Sequence, residues 1–220
     1  MRISVRTSFG IGRLLLAAVQ VAALVGNFDY VLGFATFATG NFFSYFTIQS
    51  AIAAVVMFVV GAVLALRTQE DPPWFDLFRS LVTTYIIVSG IVFALMVIQS
   101  NTRDYRIDVP WSDQVLHFWV PAFALLDWLF DPHKARVSVR ILRWVALYPL
   151  VWGVFTLVRG ASVGWYPYFF LDSAQVTPLE MLLYCAICLL IIVGITATLA
   201  ATTRVHLSPW WERREPGRGR

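Results

Sequence analysis

The sequence predicts an all-α integral membrane protein: one transmembrane domain spanning residues 1–220, built as a bundle of six transmembrane helices with both termini cytoplasmic. Composition is the first reason. Of the 220 residues, 59% are hydrophobic and only 14% are charged, whereas soluble domains carry about 25% charged residues. The mean hydropathy of +0.70 indicates that lipid surrounds most of the chain.

Hydrophobic windows are the second reason. A spanning helix needs about 20 predominantly apolar residues, and the qualifying stretches leave no room for a separate soluble domain. The first stretch, with Arg2 and Arg6 ahead of it, is expected to be a retained helix rather than a cleaved signal peptide, because more membrane segment follows it. The predicted helices cover about residues 10–32, 43–66, 80–100, 114–130, 140–158 and 178–201.

The distribution of basic residues sets the predicted orientation. All of the 17 Lys and Arg residues except Arg103, Arg106 and Arg159 lie near the start of the first window, in the second and fourth loops, or in the tail. The positive-inside rule therefore places both termini in the cytoplasm, with residues 202–220 as a basic cytoplasmic tail. The same topology accounts for the net charge without a nucleic-acid partner. Because every basic residue but Lys134 is Arg, we expect a bacterial protein of the cell (inner) membrane.

No cofactor and no metal site are expected. His117, His133 and His206 fall on a helix end, the loop at the opposite end and the tail, so they cannot converge on one ion. Cys185 and Cys188 have C-x-x-C spacing, but no second pair and no nearby His accompany them. They are interpreted as small packing residues.

The second predicted helix begins with the polar stretch SYFTIQSA. Ser44, Thr47 and Ser50 recur at every third residue and form one short stripe on a helix face. An unpartnered hydroxyl is costly in a bilayer. The stripe therefore has two interpretations: its hydroxyls bond carbonyls one turn back or a neighbouring helix, or they form a site. Spacing leaves both open.

The fourth predicted helix, WSDQVLHFWVPAFALLDWLF, carries His117 about one turn inside its start, level with Thr47 on the predicted outer side. An ionisable residue inside a membrane is a functional candidate by default; the alternative is a neutral His that donates one hydrogen bond in the bundle. Pro121 cannot donate to the carbonyl of His117, so we expect a kink or an inserted water there. Asp113 or Gln114, one turn earlier, could orient the imidazole.

Two further polar features have alternative interpretations. Asp127 lies ten residues beyond His117 and about 80° around the helix, so it is interpreted as an interfacial or helix-pairing carboxylate. The third predicted outer loop, 159–180, is rich in aromatic residues and carries Asp172. It suits a lid above an apolar substrate, and it equally suits aromatic residues resting in the headgroup region.

Two stretches, NFFSYFTIQS and LHFWVPAFALLDWL, together with YPLVWGVFTLVRG followed by WYPYFFLD, resemble the androgen-induced family of multi-pass membrane proteins and its bacterial six-pass relatives. That family includes the androgen-dependent regulator of tissue factor pathway inhibitor. The resemblance implies an intramembrane hydrolase of lipid esters, specifically of fatty acid esters of hydroxy fatty acids. It further implies that Thr47, in Tyr45-Phe46-Thr47, is the nucleophile and that His117 is the base.

The implied chemistry makes demands on the surrounding residues. Neutral His117 would take the proton of Thr47, and attack on the ester would form an acyl-threonine through a tetrahedral oxyanion. The oxyanion needs donors, for which backbone N–H groups at the start of the second helix, Gln49 and Asn41 are candidates.

The remaining candidates support this pair. Asp113 or Asp172 would hold the imidazole tautomer, or the pair would act as a dyad, and Ser44 and Ser50 are expected to support the nucleophile. The expected partners are a lipid or fatty-acyl ester and membrane lipids. The candidates for lining the substrate site are Tyr45, Trp119, Pro121, Trp165 and Tyr166.

A non-enzymatic membrane protein is the alternative function. It would be a carrier of lipid or small solutes, or a structural bundle, in which Thr47 and His117 make only a polar contact. A carrier typically has charged or broken helices near the membrane midplane, and the windows contain few ionisable residues at that depth.

Overall fold

The computed structural model describes residues 4–35, 37–100, 107–134 and 136–203, and all regular secondary structure within them is helical. The predicted basic tail lies outside the described residues from position 204 onward, as do Arg103, Arg106 and His206. The helices are α1 (Val5–Leu32), α2 (Thr39–Phe42), α3 (Phe46–Arg67), α4 (Pro73–Ser100), α5 (Trp111–Gln114), α6 (Val120–Phe130), α7 (Leu142–Val145), α8 (Leu147–Val163) and α9 (Pro178–Thr202), with a π-helical turn at Val115–Trp119 and 3-10 turns at Val139–Ile141 and Phe169–Leu171.

Within the described residues, five helical stretches are long and apolar enough to cross a membrane. The fourth predicted window is helical throughout 111–130, but it consists of α5, the π turn and α6, none of which has that length alone. The chain is therefore all-helical and has the composition of a multi-pass membrane protein. The five stretches are Val5–Leu32, Phe46–Arg67, Pro73–Ser100, Leu142–Val163 and Pro178–Thr202.

Helix α4 begins at Pro73, well before the predicted start near residue 80. Proline is favoured in the first helical turn, where its missing N–H costs no hydrogen bond. Asp76 and Arg79 lie before the predicted window, yet both side chains are buried. The helix extends further than hydropathy predicts because its polar first turns pack inside the bundle.

The surface of the bundle is apolar and part of its interior is polar. Val151 on α8 is 60% exposed and Leu190 on α9 is 71% exposed, whereas the side chains of Gln20 and Thr84 are fully buried. Aliphatic surfaces with polar helix contacts inside are the arrangement expected in lipid, where apolar burial does not drive helices together.

Buried polar residues lie at two opposite ends of the bundle. Helix α1 packs along α3, and α4 contacts α3, α9 and the segment 111–130. The Thr47 end is formed by the end of α1, the start of α3, the second half of α4, the start of the segment 111–130 and the loop 164–177. The Arg13 end is formed by the opposite ends of the same helices.

The Arg13 end is held by buried ion pairs. Arg79 contacts Asp127 at 2.6 Å and Asp131 at 2.7 Å, and Arg13 contacts Asp127 at 3.0 Å. The interpretation of Asp127 as a helix-pairing carboxylate is thereby confirmed. Burial alone would raise the pKa of Asp131, but Arg79 and Arg13 hold that pKa well below its usual range. The whole set, called the ion-pair network below, comprises Arg6, Arg13, Asp71, Arg79, Asp127 and Asp131.

Candidate active site

A cavity of about 290 Å³ lies at the Thr47 end of the bundle. Its volume is close to the lower limit for pockets that bind small molecules, about 300 Å³. Thr47 and His117 both line it, so the fold brings the two predicted residues into one chamber. Most of the remaining wall is apolar, and its other polar lining residues are Asn27, Tyr30, Tyr45, Ser89, Asp113 and Tyr168.

The hydroxyl of Thr47 is directed away from its own helix. Its Oγ1 lies 2.6 Å from Oγ of Ser89 and 3.5 Å from the hydroxyl of Tyr168. Ser44 and Ser50 instead donate to backbone carbonyls four and three residues earlier, and the carbonyl that Ser50 uses belongs to Thr47. The polar stripe therefore divides: two hydroxyls satisfy the local backbone, and the third faces the cavity.

The imidazole of His117 is held by a hydrogen bond at its edge and by an aromatic ring stacked on its plane. Its Nδ1 lies 2.9 Å from the backbone carbonyl oxygen of Asp113, whose carboxylate Oδ1 is 3.6 Å away. A carbonyl oxygen only accepts, so we infer that Nδ1 carries the proton and Nε2 has the free lone pair. Phe93 stacks on the ring at 3.8 Å, and Asn27 donates to the Asp113 carboxylate at 2.8 Å. The preferred tautomer is that of a general base.

The disturbance expected at Pro121 is a π-helical turn at Val115–Trp119. Pro121 has no N–H to offer the carbonyl of His117. That carbonyl lies so close to Gly90 of α4 that a Cβ at this position would overlap the oxygen. Glycine is therefore required where the freed carbonyl meets α4.

One turn of α4 contacts both candidate residues. Ser89 bonds the hydroxyl of Thr47, Gly90 accommodates the carbonyl of His117, and Phe93 stacks on its imidazole. Within the described residues, no hydrogen bond joins Thr47 to His117, and Nε2 of His117 bonds no residue. The two groups are thus held at one cavity by α4 rather than by each other.

Two kinds of donor are near Thr47. Tyr45 is the N-cap of α3 and makes no side-chain capping bond, so no capping side chain binds the N–H groups of the first turn, although the backbone of Thr47 hydrogen-bonds Tyr168. These groups carry the positive end of the helix dipole. The hydroxyl of Tyr168 also faces Thr47, and burial raises the pKa of Tyr168, which keeps this hydroxyl protonated.

Gln49, a candidate oxyanion donor, does not line the cavity. Its side-chain nitrogen donates to the carbonyl of Phe43 at 2.9 Å, and its oxygen accepts from Tyr148 at 2.7 Å. Two residues correspond to about 200° of rotation around a helix. Gln49 therefore faces away from the side on which Thr47 lies, and its amide is occupied by structural hydrogen bonds.

Asp172, the second candidate for orienting the imidazole, lies apart from His117. Its carboxylate is exposed and accepts from the N–H of Ala174 at 2.9 Å and the amide of Gln175 at 2.7 Å. These bonds to its own loop lower the pKa of Asp172. Of the two candidates, Asp113 alone contacts the ring, mainly through its backbone carbonyl.

Three of the other candidates lie at or beside the cavity. Tyr45 lines it directly, and Trp165 packs edge to face on Tyr45 at 5.4 Å. Asn41 and Trp165 line a side pocket of about 170 Å³, which shares Tyr45 with the main cavity.

The remaining lining candidates do not line either space. Trp119 is 58% exposed on the outer side of its helix, and Pro121 is buried among the helices. Tyr166 packs against Gly160, where a Cβ would collide with its ring. These three residues do not contact either pocket, because their positions on the helix or in the loop direct them away from it.

Ser89, Tyr168 and Asn27 were not predicted from the sequence. Ser89 and Gly90 interrupt the apolar run YIIVSGIVFAL, which is a weak signal. Asn27 had a clearer sequence signal, because polar residues that prove to be buried recur on α1 at every seventh position. They are Arg6, Arg13, Gln20 and Asn27. Tyr168 lies in a loop with several aromatic residues and has no distinguishing local pattern.

In the part of the chain that the structure describes, no group of three or more His, Cys, Asp or Glu residues is placed to hold a metal ion. Comparison with known proteins gives no further assignment: no protein-family model, no curated protein and no solved structure matches the chain significantly.

Proposed function

We propose that the chain is an intramembrane hydrolase of lipid esters, with Thr47 as the nucleophile and His117 as the general base. The observation that carries the proposal is the hydroxyl of Thr47. It bonds Ser89 rather than a backbone carbonyl, and it shares one mostly apolar cavity with an imidazole whose tautomer suits a base. The resemblance of both motifs to the androgen-induced family suggests fatty acid esters of hydroxy fatty acids as substrates.

In the proposed reaction, Oγ1 of Thr47 attacks the ester carbonyl carbon while its proton passes to Nε2 of His117. Collapse of the tetrahedral intermediate expels the alkoxide, which takes that proton and leaves as the alcohol. Water then attacks the acyl-threonine and gives a proton to His117, which returns it to Thr47 as the fatty acid leaves. First-turn N–H groups of α3 and the hydroxyl of Tyr168 are the proposed oxyanion donors.

Transfer of the proton requires a path between the two residues. Thr47 is bonded to Ser89, so its side chain either rotates towards His117 or passes the proton through the hydroxyl of Ser89. Catalytic hydrogen bonds commonly tighten only when substrate is bound.

The proposed membrane arrangement has six crossings, with the segment 111–130 as the fourth. Both termini then face the cytoplasm, and the Thr47 end lies at the outer side of the bacterial inner membrane. A lipid ester would enter sideways from the bilayer, and water would enter from the outer face. The π turn is compatible with a crossing because the carbonyl of His117, which Pro121 leaves without its usual donor, lies against Gly90 of α4.

The test is covalent labelling with a fluorophosphonate probe, combined with hydrolysis of a fatty acid ester of a hydroxy fatty acid by protein purified in detergent. Thr47→Ala is expected to abolish labelling and to lower hydrolysis by at least about 1000-fold, because no second nucleophile replaces the hydroxyl. His117→Gln is expected to lower both strongly while preserving the fold.

Thr84→Ala is the matched control. Thr84 is a buried threonine whose hydroxyl donates to the carbonyl of Ser80 at 2.9 Å and does not line the cavity. It is expected to label and hydrolyse as the wild type does. If Thr47→Ala does the same, the hydrolase proposal is wrong, and the non-enzymatic alternative can be examined as solute or lipid flux in liposomes.

A further inference from the structure

The side pocket beside the proposed active site has a cation at its rim. Nη2 of Arg159 donates to Oδ1 of Asn41 at 2.7 Å, and the guanidinium lies over the ring of Trp165, 5.6 Å from its centroid. Both contacted residues line the pocket. Gly40 has no side chain to cover the guanidinium, whose Nη2 lies 3.3 Å from the position that a Cβ would occupy.

Arg159 differs from the buried arginines at the other end in its choice of partners. Arg6, Arg13 and Arg79 each contact at least one aspartate. Arg159 has only a neutral amide and an aromatic ring as partners within the described residues. A half-buried guanidinium has five N–H donors and a full charge, so most of its binding capacity is unused at this position.

The side pocket is positioned to receive one end of a ligand held at Thr47. It shares Val31, Phe42 and Tyr45 with the main cavity. Because Asn41 accepts from Arg159 through its oxygen, the amide nitrogen of Asn41 is left as a donor at the pocket wall. A charged donor and a neutral amide donor at a pocket with mostly apolar walls suit a singly charged oxyanion on an apolar molecule.

We propose that Arg159 and Asn41 form a carboxylate-binding subsite that selects lipid molecules with a free carboxylate over neutral lipids of the same length. The subsite would define which lipid esters the proposed hydrolase accepts. That the bound lipid is a substrate rests on the proposed function. The carboxylate would accept hydrogen bonds from Arg159 and from the amide nitrogen of Asn41, while the hydrocarbon extends past Tyr45 towards Thr47.

The experiment measures binding without requiring hydrolysis. Purified protein in nonionic detergent is titrated with dibromostearate or its methyl ester, and quenching of tryptophan fluorescence by bromine reports occupancy. The wild type is expected to bind the free acid at least about tenfold more tightly than the ester, since hydrogen bonds to a charged group are stronger than those to a neutral one.

Two variants test the residues. Asn41→Asp keeps the side-chain shape but supplies Arg159 with an internal carboxylate, so the preference for the acid is expected to fall to about onefold. Arg159→Gln is expected to have the same effect through loss of the charge. The control Arg143→Gln removes an exposed positive charge near the other end of the bundle and is expected to retain the preference.

The outcomes separate the subsite from the hydrolase. A preference that survives in Asn41→Asp and Arg159→Gln overturns the subsite, whether or not the protein hydrolyses esters. A preference that both variants lose supports the subsite even if Thr47→Ala shows the hydrolase proposal to be wrong. Displacement of dibromostearate by millimolar inorganic phosphate would overturn its assignment to a carboxylate.

Discussion

The hydroxyl of Thr47 is unusual among the hydroxyls of this bundle. Ser80, Thr84 and Thr196 each donate to a carbonyl of their own helix, which is the common way for a membrane helix to satisfy a hydroxyl. Thr47 lies in the first turn of α3 and uses Ser89 of another helix instead. Its proton is therefore not committed to the backbone of its helix, which is what a nucleophile requires.

The short hydrogen bond between Ser89 and Thr47 is expected to orient Thr47, the proposed nucleophile, and Ser89 itself is not expected to attack the ester. Ser89→Ala should lower the rate of ester hydrolysis by about 3- to 10-fold, the effect of losing one neutral hydrogen bond, and should leave the probe adduct on Thr47. Peptide mapping by mass spectrometry locates the adduct. Ser80→Ala, which removes a buried hydroxyl of α4 that bonds the carbonyl of Leu77, is the control. An adduct on Ser89 in the wild type would contradict this assignment.

At this scale, the sequence predicted the pair but not its surroundings. Thr47 and His117 could be related because each starts a helix that runs in the same direction, which places them at one depth. The contact of Ser89 with Thr47 depends on the rotation and separation of α3 and α4, which no spacing within one helix encodes. Gln49 was predicted from its proximity along the chain, and its rotation around α3 directs it to Tyr148.

At the scale of helices, α4 is the element that aligns the site. In its turn from Ser89 to Phe93, Ser89 contacts Thr47 of α3, and Phe93 contacts His117 of the segment 111–130. Pro121 and Gly90 are complementary parts of this arrangement: the proline frees a carbonyl and the glycine allows it to approach. The proline was recognisable in the sequence, whereas its glycine partner on another helix was not.

Gly90→Ala is expected to displace the turn that carries His117 without altering either candidate catalytic side chain. The added methyl would overlap the His117 carbonyl oxygen, and overpacking of a close contact costs about 1–3 kcal/mol. Both a lower melting temperature and at least about tenfold slower hydrolysis should follow. Gly153→Ala is the control, because a Cβ there meets nothing within 4 Å and alanine favours a helix. Equal activity of the two variants would contradict the role given to Gly90.

Helix α1 joins the two ends of the bundle through its polar face. The buried residues Arg13, Gln20 and Asn27 are separated by seven positions, so they lie on one face about 10 Å apart along the axis. The first belongs to the ion-pair network and the last bonds Asp113 beside His117. The mean hydropathy of the window predicted α1 as a membrane segment. Because a mean over consecutive residues hides a repeat of seven, the polar face of α1 was not predicted.

For the molecule as a whole, the proposed active site and the ion-pair network lie at opposite ends of the bundle. His117 and Asp127 lie ten residues apart in one helical segment, or about 15 Å. The cavity with few charges is at one end, and the ion-pair network that ties α1, α4 and α6 together is at the other. The predicted windows excluded Asp71, Arg79 and Asp131 and assigned them to loops, because hydropathy does not distinguish a paired buried charge from a solvated one.

The ion-pair network is expected to stabilise the bundle without taking part in the chemistry. Asp131→Asn keeps the side-chain shape but leaves Arg13 and Arg79 with one carboxylate fewer, and breaking a buried pair from one side costs about 3–5 kcal/mol. Thermal unfolding in detergent between pH 3 and 8 measures this loss, with the exposed Asp172→Asn as the control at under about 0.5 kcal/mol.

The pH dependence of that loss has a definite sign. The pKa of Asp131 is lower in the folded protein than its ordinary value, because Arg79 and Arg13 outweigh the effect of burial. The charged carboxylate therefore stabilises the fold fully at pH values above that ordinary pKa, and the contribution is lost as the pH falls towards the folded value. Wild type and Asp131→Asn should differ by a constant amount from pH 5 to 8, and the difference should shrink below about pH 4. Equal melting temperatures at pH 7, or a difference that grows on acidification, would show that the network does not clamp the helices.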